Sequence, residues 1–340
     1  MDARRAGFSL IELLTVVAIM GMVAVYMGRI LTVNEKTYSS TDQLSQAQQN
    51  LRAIDDLLER DLRHAGLMVP DAVAVCGVDN INGPDILYVS DALAIDPQDD
   101  FSTYAGASVT SGDADSAGTT TLTLSDLIIE SSPPNRPAYD TDGNGTNDSD
   151  FQVNGGVIIA STSNPTAGVA CGSVTAVNVG SEQITVNVRS ALSATTNLIA
   201  VPAHEYRVDG TRLLWNGNAL TDGVEDLQVT YIIENDDPPD NQVDAADEVF
   251  GDDETVAHQL FNQSNPNAGH GTVTLTGSAS ELVREVRVNI VVRTRLEDED
   301  FTSGRFQGTE NRDVSGVTAD GFRRRVITTK VMLRNVAMQI

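Results

Sequence analysis

The chain has 340 residues, 41% of them hydrophobic and only 5% aromatic, and a formal net charge of −26. That length is enough for one large domain or two modest ones with a real core. So acidic a surface argues against a nucleic-acid partner, because phosphate binding needs a basic face. It suits an outer domain that avoids nonspecific association, or one that meets divalent cations. Lysine occurs only at Lys36 and Lys330, so arginine supplies the positive charge.

The first element in chain order is a short basic leader, Met1-Asp2-Ala3-Arg4-Arg5-Ala6-Gly7. A nearly unbroken apolar run follows, to Val33. A secretory signal places its small-residue cleavage site after the apolar core. Here the small residue, Gly7, comes before it, so cleavage there would keep the apolar segment. Residues 8–33 exceed the ~20 apolar residues needed to cross a bilayer. Arg29 lies near the outer end, where it can snorkel to the interface. Glu12 is a carboxylate inside this segment and needs a partner.

The periodic pattern continues past Val33. Leu44, Ala47, Leu51, Ile54, Leu58, Leu62 and Ala65 recur at three- and four-residue steps, predicting one apolar helix face. Asp55, Asp56, Glu59, Arg60, Asp61 and Arg63 are assigned to the other faces. Gly66 is the expected stop, with Pro70 beyond. A helix over 8–66 would be ~87 Å long at 1.5 Å per residue.

After Pro70 the pattern changes to strands and loops. Strand-like runs are Ile86–Val89, Thr119–Leu124, Val157–Ala160, Val174–Val179 and Ile184–Val188. Tyr206–Leu214 reads as a hairpin turning at Asp209-Gly210, with a second possible turn at Asn216-Gly217-Asn218. Leu227, Val229, Tyr231 and Ile233 alternate with polar residues, as do Val286, Val288, Ile290 and Val292. The last strand expected is Val326–Leu333. Longer polar insertions fall at about 91–118, 132–152 and 234–272. An antiparallel-rich sheet packed on the helix stripe makes the expected class α+β.

The basic leader, Gly7, Phe8 and Glu12 together resemble the type IV prepilin signature. That resemblance implies cleavage after Gly7 by a prepilin peptidase, methylation of the new N-terminus at Phe8, and an assembly role for Glu12. Leu51-Arg52-Ala53 through Gly66, Leu220–Tyr231, Val283–Arg295 and Arg323–Asn335 look like a PilW-type minor pilin. The J-type pseudopilin of type II secretion is similar in outline. Between 90 and 205 the sequence carries no match to the family. It also lacks the proline that major pilins carry in the outer half of the apolar segment.

The resemblance implies a type IV pilin fold. Residues 1–7 are then the leader, 8–66 the pilin helix, with 8–33 as membrane or filament core, and 67–340 a β-rich periplasmic or extracellular domain. It implies a non-catalytic minor pilin that helps start or cap a type IV pilus in a tip complex. The partners implied are other minor pilins and the major pilin, the prepilin peptidase, a tip adhesin, and the inner membrane before assembly. After assembly the chain would sit in a pilus at the cell surface. The alternatives are a J-type pseudopilin and, from another class, a membrane-anchored surface enzyme.

Glu12 is expected to pair with the new α-amine of Phe8, its own or a neighbour's, because an unpaired carboxylate in hydrocarbon is too costly. Such pairing would set the axial step between helices. The segment Asp140-Thr141-Asp142-Gly143-Asn144-Gly145-Thr146-Asn147-Asp148-Ser149-Asp150 has EF-hand-like spacing. Asp140, Asp142, Asn144, Thr146 and Asp148 fall at positions 1, 3, 5, 7 and 9, and Gly145 at 6. Phe151 stands where the bidentate glutamate belongs, so Asp150 or another residue must complete a Ca2+ shell. In an exported domain Cys76 and Cys171 read as one disulfide.

Residues 234–254 hold ten acids and no lysine or arginine. They read as a self-repelling loop that could take a second cation around Asp236–Asp247. Arginines from Arg284 to Arg334 are expected to pair with this acidic surplus or make subunit contacts, rather than bind nucleic acid. His64, His204, His258 and His270 form no metal spacing, and no nucleophile elbow or phosphate loop appears. Trp215, beside a turn, reads as a packing anchor.

Overall fold

The computed structural model describes residues 9–70, 73–80, 82–95, 104–129, 137–163, 169–192, 196–233, 248–250, 283–298, 301–302, 304, 309–310, 312, 314 and 317–333.

Helix α1 runs without a break from Leu10 to His64, 55 residues and about 82 Å. Ser9 starts it as a cap. Its end is set by Ala65, and Gly66 beyond takes φ 77°, the left-handed conformation that favours glycine. Arg63 and His64 lie in the last turn, where cations complement the exposed carbonyls. From Leu10 to Val33 the side chains are exposed on every side, and this part is long and apolar enough to cross a membrane. Leu51, Ile54, Leu58, Leu62 and Ala65 are buried, while Leu44 and Ala47 are half-buried. Full burial of a leucine contributes about 1.5–3 kcal/mol, so Leu58 and Leu62 hold this half of the helix onto the domain.

In chain order α1 is followed by β1 (Val75–Val78), β2 (Ile86–Val89), the short α2 (Ala92–Ile95), β3 (Ala107–Ser111), β4 (Gly118–Leu124), β5 (Gly156–Ser161) and β6 (Val169–Asn178). Then come β7 (Gln183–Ser190), β8 (Leu198–Asp209), β9 (Arg212–Trp215), β10 (Asn218–Asp222), β11 (Val224–Ile233), β12 (Glu248–Phe250), β13 (Val283–Arg293) and β14 (Arg324–Met332). All strand pairs are antiparallel, so the class is α+β as expected.

The helix stripe packs on a four-stranded sheet in the order β12-β11-β13-β14. Leu227 pairs with Ile290, Val229 with Val288 and Tyr231 with Val286, which puts the two alternating apolar sets on one face. With Val331, Leu87 and Tyr206 they close one core over α1.

The second sheet closes on itself. β8 pairs with β3 on one side and with β5 on the other, and β3-β4-β7-β6-β5 completes a six-stranded ring. Its interior is a second core that includes Leu122, Leu124, Phe151, Ile158, Val186 and Val201. β4 shows why: Leu122 and Leu124 are buried, and Thr119 and Thr121 alternate with them on the outside. Beyond Ala203, β8 leaves the ring and pairs with β2 and β9 instead.

Several expectations shift. The 206–214 hairpin turns at Gly210-Thr211, because Asp209 pairs with Arg212, and Gly210 takes the positive φ. The Asn216-Gly217 turn is present, with φ 47° and 76°, the double left-handed geometry of a two-residue hairpin loop. β1, β3, β10, β12 and α2 had no anticipated counterpart. Of the acidic stretch 234–254, only 248–250 lies among the described residues.

Candidate assembly and cation sites

Gly7 and Phe8 lie outside the described residues. Glu12 lies within them, at the third position of α1. Its Oε2 accepts from the Ser9 backbone N–H at 2.9 Å, and the Glu12 N–H donates to Ser9 Oγ at 3.3 Å. This reciprocal pair is a capping box, and the Ser9-x-x-Glu12 spacing carried that signal in the sequence. It holds the carboxylate back toward the start of the helix, on the Ser9 backbone.

At the other end of the helix, sequence reasoning misplaced Asp61. It was assigned to a polar face, but it is 3% exposed. Its Oδ1 accepts from Arg60 Nε and Nη2 at 3.0 and 2.8 Å, and Tyr206 Oη donates to its Oδ2. Burial, then the Asp61 charge, pushes the Tyr206 hydroxyl well above its ordinary range, so it stays a donor. Asp91 is buried nearby and caps α2, its Oδ1 accepting from the Ala94 N–H at 2.7 Å. Burial pushes its carboxyl up to about 6. Two residues before Tyr206, His204 is buried against Trp215 with ring centroids 5.0 Å apart. Asn216 Nδ2 lies 3.1 Å from His204 Nδ1. Burial lowers the His204 pKa. Trp215 is thus a packing partner.

Cys76 on β1 and Cys171 on β6 are bonded, with Cα atoms 6.2 Å apart. The bridge crosses from the strands beside the helix to the ring. C-terminal arginines pair with nearby acids: Arg324 with Glu225 and Asp320, Arg323 with Asp298, Arg293 with Glu225, and Arg287 with Glu310.

The Asp140–Asp150 loop joins β4 to β5, with its base closed by a Tyr139–Ser149 bridge. Asp140 Oδ1 accepts from the Gly143 N–H at 2.7 Å, and its Oδ2 from the Gly145 N–H at 2.7 Å. The Gly145 amide, first among these, lowers its pKa. Asp142 accepts from Asn144 N and Nδ2, and Asn144 Oδ1 accepts from the Thr146 N–H. Asp148 Oδ1 accepts from Thr141 N and Oγ1. Asp140, Asp142 and Asp148 each bring a carboxylate oxygen within 4.8 Å of the others. This exposed triad could hold a metal ion.

Asp150 is a correction to the expected ligand set. It is fully buried, and its Oδ2 accepts from the Ile129 N–H at 2.6 Å, which pins the end of the loop to the segment just after β4. Phe151 is buried in the ring core, so the loop's last position serves packing. Asn144 and Thr146 lie in the loop, but their described bonds close turns.

A cleavable-type N-terminus, a long helix bare at its apolar end, and an antiparallel sheet on its other end define a type IV pilin-like protein. Residues 2–27 match the prokaryotic N-terminal methylation motif. Residues 185–335 match the family described as Type IV Pilus-assembly protein W. A comparison with curated proteins found no match. Among solved structures, the type IV-like pilin TTHA1219 from Thermus thermophilus is 15% identical, over 54% of this chain and 85% of that one. Its TM-score is 0.22, too loose an overlap to bear on any residue.

Proposed function

We propose that this chain is a non-catalytic minor pilin that helps start or cap a type IV pilus. The observation that carries the reading is the pairing of a methylation-motif N-terminus with a 55-residue helix whose first turns are exposed among the described residues. Such a surface needs lipid before assembly and other helices after it. The prepilin peptidase would cut between Gly7 and Phe8. The domain would then face the periplasm and meet other minor pilins, the major pilin and a tip adhesin. Glu12, already folded back onto Ser9, would take the Phe8 amine as partner and fix the register between neighbouring helices.

Mass spectrometry of the mature N-terminus tests this directly. The expected start is methylated Phe8. A start between residues 20 and 35 would mean an ordinary signal peptide and end the pilin reading. Recovery in the secretion-system complex instead of pili would move the chain to the J-type pseudopilins.

The acidic triad, in this reading, is a Ca2+ site. Three aspartates close together repel, and a divalent cation removes that repulsion. Without a bidentate glutamate the affinity should fall near 10⁻⁴–10⁻³ M, on the order of that of extracellular modules. The full chain should melt higher with Ca2+ than with chelator, by about 2.7 kcal/mol of stability at a hundredfold excess over Kd. Asp140→Ala with Asp142→Ala should remove the difference. An unchanged calcium response in that double variant would place the ion elsewhere.

A further inference from the structure

The C-terminal sheet ends in an open edge. β14 is its last strand and pairs with β13 on one side only. Such an edge is a row of unpaired donors and acceptors, so native chains keep edges short, bulged or interrupted by proline. The other edge strands follow that rule among the described residues. β12 has three residues, β1 has four that are mostly buried, and the β10 ladder shifts register between Ala219 and Thr221. β14 does not follow it. It runs nine residues, Arg324–Met332, in unbroken register and without glycine or proline. We infer that this edge takes an extended acidic segment of another protein chain as a further strand of the sheet. The inference is independent of the reading of residues 10–33 as membrane-spanning.

The backbone is the first argument. At the two ends of the β13–β14 ladder, the Thr294 N–H donates to Arg323 O at 2.9 Å and the Leu333 N–H to Arg284 O at 2.8 Å. Hydrogen-bonded pairs alternate along an antiparallel ladder. Arg325, Ile327, Thr329 and Val331 therefore bond to β13. Val326, Thr328, Lys330 and Met332 turn their N–H and C=O groups away from it. Those outward groups have no partner among the described residues. They span ~20 Å at ~3.4 Å per residue, the length of an ordinary strand.

The side chains select the occupant. Ile327 and Val331 face the core under α1, and Thr329 Oγ1 donates to Asp55 on the helix. The opposite face is open, with Val326 45% and Met332 48% exposed on either side of Thr328 and Lys330. Arg323 and Arg324 have their forks filled by Asp298, Glu225 and Asp320. Arg325 and Lys330 are exposed and make no ion pair among the described residues. An incoming strand thus meets one unneutralised cation on each face, since odd and even residues point opposite ways. The segment that fits carries acids opposite Arg325 and Lys330 and apolar residues opposite Val326 and Met332. Opposite charges across a strand pair stabilise it and like charges weaken it. A second copy of β14 would bring the same two cations to the edge.

The probe is a capped nine-residue peptide that alternates valine and threonine and places glutamates opposite Arg325 and Lys330. A counterpart carries lysine at those two positions. Binding to the full chain in detergent is read by anisotropy of a dye on the peptide, and backbone pairing by residue-resolved hydrogen exchange. The glutamate peptide should bind saturably and slow exchange at Val326, Thr328 and Lys330, but not at Ile327 and Thr329, which β13 already holds. It should bind roughly tenfold tighter than the lysine peptide, the size of two exposed ion pairs. Arg325→Glu with Lys330→Glu, which changes exposed side chains only, should invert that preference. Thr328→Pro removes an outward N–H and sets a ring in the strand's path, so it should abolish binding of both peptides. Equal binding of the two peptides overturns the site, as does binding without new protection at the outward amides. A dimer that protects the same amides and excludes the peptide would give the edge to a second copy and overturn the acidic occupant.

Discussion

Removing the Tyr206 hydroxyl should loosen the helix from its domain. Asp61 is the one carboxylate that α1 buries, and two groups reach it. Arg60 is 55% exposed, so solvent screens most of what it offers. Tyr206 is fully buried, and its hydrogen bond to a charged oxygen should carry about 1.5–3 kcal/mol. Tyr206→Phe keeps the ring and its packing but leaves Asp61 Oδ2 without that donor. A loss of ~2 kcal/mol in unfolding free energy follows, with Asp61→Ala costing a similar amount for the tyrosine left behind. Because both variants break the same bond, the double variant should cost less than the two singles together, by ~1–2 kcal/mol of coupling. Urea unfolding of the full chain in detergent measures this. Trp215 is the sole tryptophan and pairs across strands with Tyr206, so its fluorescence reports on this contact. Strict additivity would refute the claim that the bond joins helix and sheet, and so would a Tyr206→Phe cost below ~0.5 kcal/mol.

Acidity should stabilise the fold near pH 5. Burial raises the Asp91 carboxyl to about 6, above its unfolded value, so the folded state holds the proton more tightly and its contribution is lost as pH rises through about 6. Asp91→Asn should flatten the fall in melting temperature between pH 5 and pH 7; an unchanged slope would assign it to Asp226, which burial also raises to about 6. Reducing the Cys76–Cys171 bridge frees a loop whose ends are 95 residues apart and should cost ~4–5 kcal/mol in the chain-entropy view. Denaturant midpoints that match with and without reductant would contradict it. Glu12→Gln can still cap Ser9 but loses its charge, so membrane insertion should persist while co-purification with pilus subunits falls. Wild-type recovery would remove the registry role. Leu58→Ala should cost about 2–5 kcal/mol through lost burial and a cavity under the helix.

The helix was legible because its signals are local: an apolar run, a stripe at helical steps, and Gly66 beyond the end. Asp61 shows where that reading failed. Leu58, Asp61 and Ala65 stand at three- and four-residue steps, so its position lay on the stripe, and its charge alone assigned it outward. Its buried partner is Tyr206, 145 residues away, and no window of sequence contains both; the neighbouring Arg60 reaches it from the solvent side. The strands of the C-terminal sheet were legible for the same reason as the helix, since Leu227, Val229, Val286 and Val288 alternate cleanly. Ring closure was not, because it depends on β8 serving two neighbours at once. In the Asp140–Asp150 loop, spacing identified three aspartates that do converge. It could not separate them from Asp150, which Ile129 draws into the core.

The matched segments cut across the fold. The two matched segments end at residue 27 and resume at residue 185. Strands β3, β4, β5 and β6 fall between them, and they form the ring with β7 and the first half of β8. The ring joins the strands beside it through β8, which beyond Ala203 pairs with β2 and β9. A module joined to its base by one strand would have that strand as a pivot. Here the Cys76–Cys171 bond adds a second covalent tie, from β1 to β6, and Tyr88 on β2 packs into the ring core. The triad loop, anchored by Asp150 and Phe151, is thus carried on a body fastened to the sheet at several points. An ion held there would be fixed relative to α1.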